Sequence, residues 1–219
     1  MFIGHNAIGF AAKRFAPRGS LGVYMAAVML PDLIWPIFLL LGIEQVRIHP
    51  NRNPFLILEF VHYPWTHSLL MTAAWGAAFA AIYWTISGYG RGVAWVFSGV
   101  VSHWILDYFT HRADLPLYPN GPRVGLGLWN SPPATIAIES AMFAVAVLMY
   151  RSATQPRDRI GSVGMWAFIL TLAVFYIFNV SGTPPPSVRF LAIGALTGWI
   201  FPFWAGWFDR HRETREPAE

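Results

Sequence analysis

Residues 92–109 read GVAWVFSGVVSHWILDYF, an apolar stretch that contains two ionisable side chains, His103 and Asp107. Its length suits a membrane-spanning helix, which needs roughly 17–25 mostly apolar residues. A charged group at the centre of such a helix costs roughly 2.5–3.5 kcal/mol or more, so it usually has a partner and a function. Helix positions i and i+4 lie on one face at neighbouring turns. The stretch therefore predicts a transmembrane helix with His103 and Asp107 side by side.

The composition is typical of an integral membrane protein. The chain of 219 residues is 55% hydrophobic and 12% charged, whereas soluble domains average about 25% charged residues. The net charge is +4, but the arginines are scattered at the ends of apolar stretches, which argues against nucleic acid as a partner. The sequence has no cysteine, which excludes disulfides, thiolate nucleophiles and cysteine-ligated zinc.

Six apolar stretches qualify as membrane spans and predict the fold class, an all-α, polytopic membrane helix bundle that forms one domain over residues 1–219. The predicted spans are 21–43, 68–86, 92–109, 134–150, 163–180 and 189–208. The N-terminal arm, residues 1–18, is too short to span, so we expect either an interfacial helix or a re-entrant one. Residues 209–219 are expected to form a cytoplasmic tail.

An even number of spans places both termini on one side of the membrane. Ten basic residues fall on that side and five fall on the other, namely Arg47, Arg52, Arg112, Arg123 and Arg189. Because basic residues are enriched in cytoplasmic loops, we expect both termini to be cytoplasmic. The long loops 44–66 and 110–133 would then face the outside.

The expected depths of the ionisable residues agree with one another. A helical hairpin that turns near Arg18 would bring His5 and Asp32 to the same depth, because an α-helix rises 1.5 Å per residue. The same calculation of depth from the helical rise places the remaining candidates in the outer half of the bilayer, namely His67, His103, Asp107 and Glu139. We therefore expect these side chains to form one layer.

Two of the motifs in this layer have structural as well as functional interpretations. His103 and Asp107 can share a metal ion, or they can form a buried hydrogen bond that only fixes helix packing. His111 extends the same helical stripe toward the water. Pro31 is expected to break the first span, in which case Asp32 either lines a site or caps the half-helix that follows.

The other candidates carry less information individually. His67 can face the site or serve as an interfacial anchor, with Thr66 capping the second span. Glu139 has no cation four positions away on its helix, so it can be a metal ligand, a general base, or a partner for Arg112 or Arg123.

Four segments resemble a known family. They are GHNAIGFAAKR (4–14), LPDLIW (30–35), WTHSLL (65–70) and SHWILDYFTHR (102–112). They are similar to the YdjM-like, membrane-bound metal-dependent hydrolase family of bacterial inner membranes, itself distantly similar to zinc-dependent phospholipase C. The resemblance implies an inner-membrane location and a set of metal ligands that matches His5, Asp32, His67, His103 and Asp107.

Two departures from the family pattern limit the number of ions that the resemblance implies. Many members carry a second acid two residues after the first, where this chain has Ile34. His111 and Glu139 match only approximately the later histidine and acid of the phospholipases. One or two ions are therefore expected rather than three.

The function expected from these observations is metal-dependent hydrolysis of an ester or phosphodiester, possibly that of a lipid. Histidine and carboxylate ligands without thiolate suit zinc, Asp32 or Glu139 would accept the proton, and Arg112 or Arg123 would hold a phosphate. Two other classes stay open. An ion-coupled transporter would use acidic groups at broken helices, and a non-catalytic scaffold would use its polar groups to join helices.

Overall fold

The computed structural model describes residues 1–50, 53–181 and 184–215; Arg52 and residues 216–219 of the predicted tail lie outside them. Within these ranges the chain is a helical bundle with small antiparallel sheets at its ends. The helices are α1 (Ile3–Phe15), α2 (Leu21–Leu40), α3 (Pro64–His67), α4 (Leu69–Ser87), α5 (Gly90–Thr110), α6 (Pro132–Ala153), α7 (Met165–Ser181), α8 (Val188–Leu196) and α9 (Ile200–Asp209). The strands are β1 (Gln45–Ile48), β2 (Leu58–His62), β3 (Leu115–Pro116), β4 (Arg123–Val124), β5 (Thr154–Pro156) and β6 (Arg212–Thr214).

The expected fold class, an all-α membrane helix bundle, is confirmed. The described segments that are long and apolar enough to cross a membrane are Leu21–Leu40, Leu69–Ser87, Pro132–Ala153, Ile160–Ser181 and Val188–Asp209. The remaining predicted span corresponds to α5, which is long enough but less apolar because it carries Arg91, His103 and Asp107. The last span bends through a 3-10 turn, Thr197–Trp199, between α8 and α9.

The N-terminal arm enters the bundle. Helix α1 packs against α2, α5 and α6, and His5, Phe10 and Ala12 are at most 1% exposed. The chain turns over residues 16–20 and returns as α2, so α1 and α2 form the expected helical hairpin. An interfacial helix would keep a polar face in water; the re-entrant alternative therefore describes this arm.

The expected break in the first span is wrong. Helix α2 continues from Leu21 to Leu40 with Pro31 and Pro36 inside it. In a helix bundle, a neighbouring side chain can satisfy a turn that proline has loosened. Here the Nδ1 atom of His103 on α5 lies 2.8 Å from the Val28 carbonyl oxygen. Asp32 consequently lies within a continuous helix and caps no half-helix.

The loops divide the bundle into two ends. The loop end carries the β1–β2 and β3–β4 pairs, which come from the two long loops. The terminal end carries the turn between α1 and α2, together with the pairing of β5 and β6. This pairing joins the described part of the tail to the connection between α6 and α7. Which end faces the cytoplasm stays a prediction from the basic residues.

Candidate metal centre

Five of the side chains singled out from the sequence meet at the loop end. Asp32 Oδ1 lies 3.2 Å from His67 Nε2 and 3.7 Å from His103 Nε2. Asp107 Oδ2 lies 3.3 Å from His103 Nε2, and its Oδ1 lies 3.1 Å from His5 Nε2. We use the name site cluster for these residues and one further histidine: His5, Asp32, His67, His103, Asp107 and His111.

His103 is held so that one ring nitrogen faces the two carboxylates. Its Nδ1 donates to the Val28 carbonyl, which can only accept, so Nδ1 carries the hydrogen. In the neutral ring Nε2 is then a bare acceptor. Among the described residues this buried atom has no hydrogen-bond partner, although carboxylate oxygens of Asp32 and Asp107 lie close by.

His67 is oriented in the same way through a relay that starts at Glu44. The Thr66 hydroxyl donates to Glu44 Oε2 over 2.7 Å and therefore accepts from His67 Nδ1, also at 2.7 Å. Glu44 Oε1 accepts the backbone N–H groups of Trp65 and Thr66, which fixes α3 beside α2. His67 Nε2 is thus left as an acceptor that faces Asp32.

His111 is a third imidazole of this kind. It follows the last residue of α5 and is buried rather than turned toward the water as expected. Its Nδ1 lies 3.0 Å from Asp114 Oδ1, and its Nε2 lies 3.8 Å from Asp107 Oδ2. Tyr63 donates to Asp114 over 3.4 Å. Burial, and then the Asp114 charge, raise the pKa of Tyr63 well above its usual range, so the phenol stays protonated and can donate.

His5 reaches the cluster because α1 enters the bundle. Its ring stacks on that of His103 with a centroid separation of 3.8 Å and an interplanar angle of 8°. The Met1 amino group lies 2.7 Å from Asp107 Oδ1, the oxygen that also faces His5. The other oxygen of Asp107 is left for His103 and His111.

In their neutral rings His67, His103 and His111 therefore turn acceptor nitrogens toward carboxylate oxygens, which is an arrangement that a cation resolves. The described residues contain two groups whose ligand atoms lie within 4.8 Å of one another: His5, His103 and Asp107, and Asp32, His67 and His103. Since His103 has only Nε2 available, it can bind one ion. These residues could hold one ion that draws on both groups, or two ions of which only one contacts His103.

Glu139 on α6 lies near the cluster but has a different set of partners. Its Oε2 accepts the backbone N–H groups of Phe2 and Gly4 at 2.9 and 3.2 Å, so it caps the start of α1. Its Oε1 has no hydrogen-bond partner among the described residues. Among the described residues, neither Arg112 nor Arg123 forms an ion pair with Glu139.

A cavity of about 290 Å³ opens onto the cluster. Its polar floor includes Asp32, His67, Asp107, His111 and Glu139, and its walls are mainly apolar, with Trp35, Phe55, Phe60, Trp129, Phe178 and Leu191 among them. Phe55 and Phe60 come from the β1–β2 hairpin. Arg112 and Arg123 are not among the described residues that line the cavity; Arg123 instead donates to the Val61 carbonyl over 2.8 Å.

Sequence reasoning missed the groups that orient the imidazoles. Glu44 lies in a loop and was not predicted to take part in the site. Thr66 was expected to cap the second span, but Ser68 caps α4 by accepting from Met71 N–H, and Thr66 supports His67 instead. Asp114 also lies in a loop, between α5 and β3. An acid three residues from His111 was the one local signal that could have linked Asp114 to the cluster.

A family model described as YdjM inner membrane protein matches residues 1–183, most of the chain. The chain therefore belongs to this family of inner membrane proteins, which agrees with the family and the membrane location expected from its motifs. No curated protein and no solved structure matches it. The match establishes membership and location, and the chemistry has to be argued from the site.

Proposed function

We propose that this member of the YdjM inner membrane protein family is a metal-dependent hydrolase whose site lies at the loop end of the bundle. One observation carries the proposal. His67, His103 and His111 each have Nδ1 engaged by an outer partner, and each directs Nε2 toward a carboxylate oxygen. Outer partners of this kind orient the histidine ligands of protein-bound metals.

The residues fit a zinc ion best among the common divalent metals. Imidazole nitrogens and carboxylates without thiolate suit zinc, whereas magnesium and calcium prefer sites made of oxygen atoms alone. When bound, the ion would supply Lewis-acid catalysis and a water acidic enough to lose its proton near neutral pH. His5, Asp32, His67, His103, Asp107 and His111 are the proposed ligand set.

Asp32 and Glu139 are the proposed proton acceptors. The Asp32 side chain is 34% exposed, whereas those of His67, His103 and Asp107 are at most 4% exposed, so Asp32 is the cluster member that the cavity reaches most readily. Glu139 places an unpaired Oε1 at the same cavity. A positioned general base contributes about 10²–10⁴-fold to such a rate.

The cavity supports an amphiphilic ester or phosphodiester as substrate. Its charged floor suits the reacting group, and its aromatic and aliphatic walls suit an apolar chain. Since Arg112 and Arg123 are absent from the described lining, their proposed contact with a phosphate would require the loops to move. The metal and the N–H groups near α1 are the closer sources of positive potential.

A combined metal and activity measurement tests the proposal. Protein purified in detergent would be analysed for bound metal by mass spectrometry and then assayed on a phosphodiester and a carboxylic ester that carry acyl chains. We expect wild type to hold a divalent ion and to hydrolyse one of these substrates. The His103→Ala/Asp107→Ala variant should lose both properties, and Glu139→Gln should keep the metal while its rate falls.

His211→Ala is the matched control because His211 lies at the terminal end, where it pairs with Asp158. It should retain the ion and the activity. Metal-free wild type, or a bound metal that His103→Ala/Asp107→Ala does not remove, would refute the metal site. Wild type that holds the metal but hydrolyses neither substrate would refute the hydrolase.

A further inference from the structure

A second cavity, of about 370 Å³, lies at the terminal end, on the opposite side of the bundle from the site cluster. It is bounded by the end of α6, the connection into α7, and β6. Its lining includes three arginines, two serines and a tryptophan, namely Arg151, Arg212, Arg215, Ser152, Ser162 and Trp166. Among the described residues no carboxylate lines it. A cavity with this lining has a positive potential and many hydrogen-bond donors.

Arg212 is fixed in the wall of this cavity. Its Nε and one terminal nitrogen donate to the hydroxyl and carbonyl oxygens of Thr154, and the other terminal nitrogen donates to the Gly161 carbonyl. The guanidinium also stacks over the Tyr150 ring at 5.2 Å. The residue is only 8% exposed. Arg212 thus contributes a rigid, largely buried positive charge that no described carboxylate pairs with directly.

Arg151 and Arg215 add two exposed charges at the rim. The Arg151 guanidinium lies 5.1 Å over the Trp166 ring, and the Arg215 backbone N–H donates to the Ala153 carbonyl over 2.9 Å. Neither has an ion pair among the described residues. Glu213 is not among the described residues that line the cavity. Its carboxylate instead meets Arg157 and Gln155.

The surroundings of the cavity are apolar on the side that faces lipid. Leu148 on α6 and Trp166 on α7 line it and are 59% and 48% exposed. Further along the same helices Val145 and Leu170 are also exposed. A ligand with an anionic head and an apolar chain can therefore place the head among the arginines and the chain along these side chains.

We propose that this terminal-end cavity binds the phosphate of an anionic phospholipid, with Arg151 and Arg215 as its principal contacts. Basic pockets between helix ends at the membrane surface recognise such headgroups, and guanidinium groups bind phosphate through paired, charge-assisted hydrogen bonds. A free phosphate ion would use the same donors but would leave Leu148 and Trp166 without a partner. The proposal is independent of the hydrolase proposal.

Native mass spectrometry of delipidated protein tests this inference. Phosphatidylglycerol, phosphatidylcholine and inorganic phosphate would each be titrated into wild type, Arg151→Gln/Arg215→Gln and Arg91→Gln. Arg91 is a matched control because it is also exposed and also lies at the terminal end. We expect wild type and Arg91→Gln to bind phosphatidylglycerol in preference to phosphatidylcholine. The double variant should bind phosphatidylglycerol roughly tenfold more weakly, since each basic residue at a membrane surface contributes measurably to anionic lipid binding.

Three outcomes would overturn the inference. They are equal binding of phosphatidylglycerol to wild type and the double variant, an equal loss of phosphatidylglycerol binding in Arg91→Gln, and binding of inorganic phosphate alone to the arginines. A thermal unfolding curve recorded on each variant without lipid separates loss of binding from loss of fold. Because both substituted arginines are exposed, these curves should coincide with that of wild type.

Discussion

The bundle buries charged groups at both of its ends, and the two clusters differ in how completely their members are paired. At the terminal end, Asp209 Oδ2 accepts from Lys13 Nζ and from the Leu21 N–H, both at 2.9 Å. Asp209 Oδ1 accepts from Tyr150 over 2.8 Å. Lys13 also donates to the Gly19 carbonyl. One cation and one anion are matched here, and the bonds join α1, α2, α6 and α9.

The site cluster at the loop end is balanced only in part: the Met1 amino group pairs with Asp107, whereas among the described residues Asp32 faces imidazoles alone. His67, His103 and His111 direct Nε2 toward Asp32 and Asp107, and in the neutral rings these nitrogens are acceptors because Nδ1 carries the hydrogen. A structural network would pair donors with acceptors, as the terminal-end cluster does, because a half-satisfied buried network is costly. We infer that the terminal-end cluster stabilises the fold, and the site cluster fits our proposal that it binds a cation.

The largest effect on stability is expected from Lys13→Met. The substitution leaves the buried Asp209 carboxylate without its cation, and removing one partner of a buried pair costs about 3–5 kcal/mol. Adding Asp209→Asn should restore much of this loss, because the amide carries no charge. The free energy of unfolding, measured in detergent, checks both variants. Arg14→Met is the control, since Arg14 is the next residue on α1 but is exposed; equal losses in the two single variants would contradict this account.

A smaller effect, measured on metal affinity, is expected from Thr66→Val. Valine keeps the shape of threonine but removes the hydroxyl that fixes the His67 ring. Loss of such an outer partner typically weakens metal binding by about 10–100-fold. Zinc affinity measured against a competing chelator checks the effect. Thr135→Val is the control, because it removes another largely buried hydroxyl, whose partners among the described residues are backbone carbonyls. If Thr135→Val lowers the zinc affinity as much as Thr66→Val does, the Glu44–Thr66–His67 relay has no special role in metal binding.

The smallest expected effect is a loss of local stability at the terminal end in acid. The Gly161 N–H, followed by His211, holds the pKa of Asp158 below its ordinary value. Because the folded-state pKa is lowered, the interaction stabilises the loop above the unfolded-state pKa and is lost as the pH falls through the folded-state value. Hydrogen exchange of the Gly161 amide should therefore accelerate in acid relative to its intrinsic rate. In Asp158→Asn the exchange of the Gly161 amide should show no such extra acceleration in acid. If the acceleration persists in this variant, another titrating group causes it.

Much of the fold was accessible from the sequence because lipid imposes simple requirements on length and polarity. The spans follow from apolar length, and the estimated depths placed His5 level with Asp32 and in one layer with Asp107. Apolar length left the N-terminal arm open between an interfacial and a re-entrant helix. The proline at position 31 misled the prediction, because α2 continues through it while His103, on α5, bonds to the Val28 carbonyl in the preceding turn. Such compensation depends on tertiary packing and has no local signal.

The site was accessible in part for a related reason. A single ionisable residue stands out in an apolar stretch without any knowledge of the fold, and this signal identified His103, Asp107 and Asp32. Glu44 and Asp114 lie in polar loops, where acids are common. Nothing marked Glu44 as the partner of an imidazole, and only the three-residue spacing from His111 marked Asp114. The pairing of Lys13 with Asp209 joins positions near opposite ends of the chain, and both lie at span ends where charged residues are ordinary.

Thermal unfolding of chelator-treated protein with and without zinc tests the central claim most directly, because an ion that binds only the folded state stabilises it. At a free zinc concentration of about 1,000 times Kd, the expected gain is about 4 kcal/mol. Wild type should unfold at a clearly higher temperature with zinc, and His103→Ala/Asp107→Ala should not respond. Coincident curves for wild type with and without zinc would contradict the claim that the site cluster is organised around a cation.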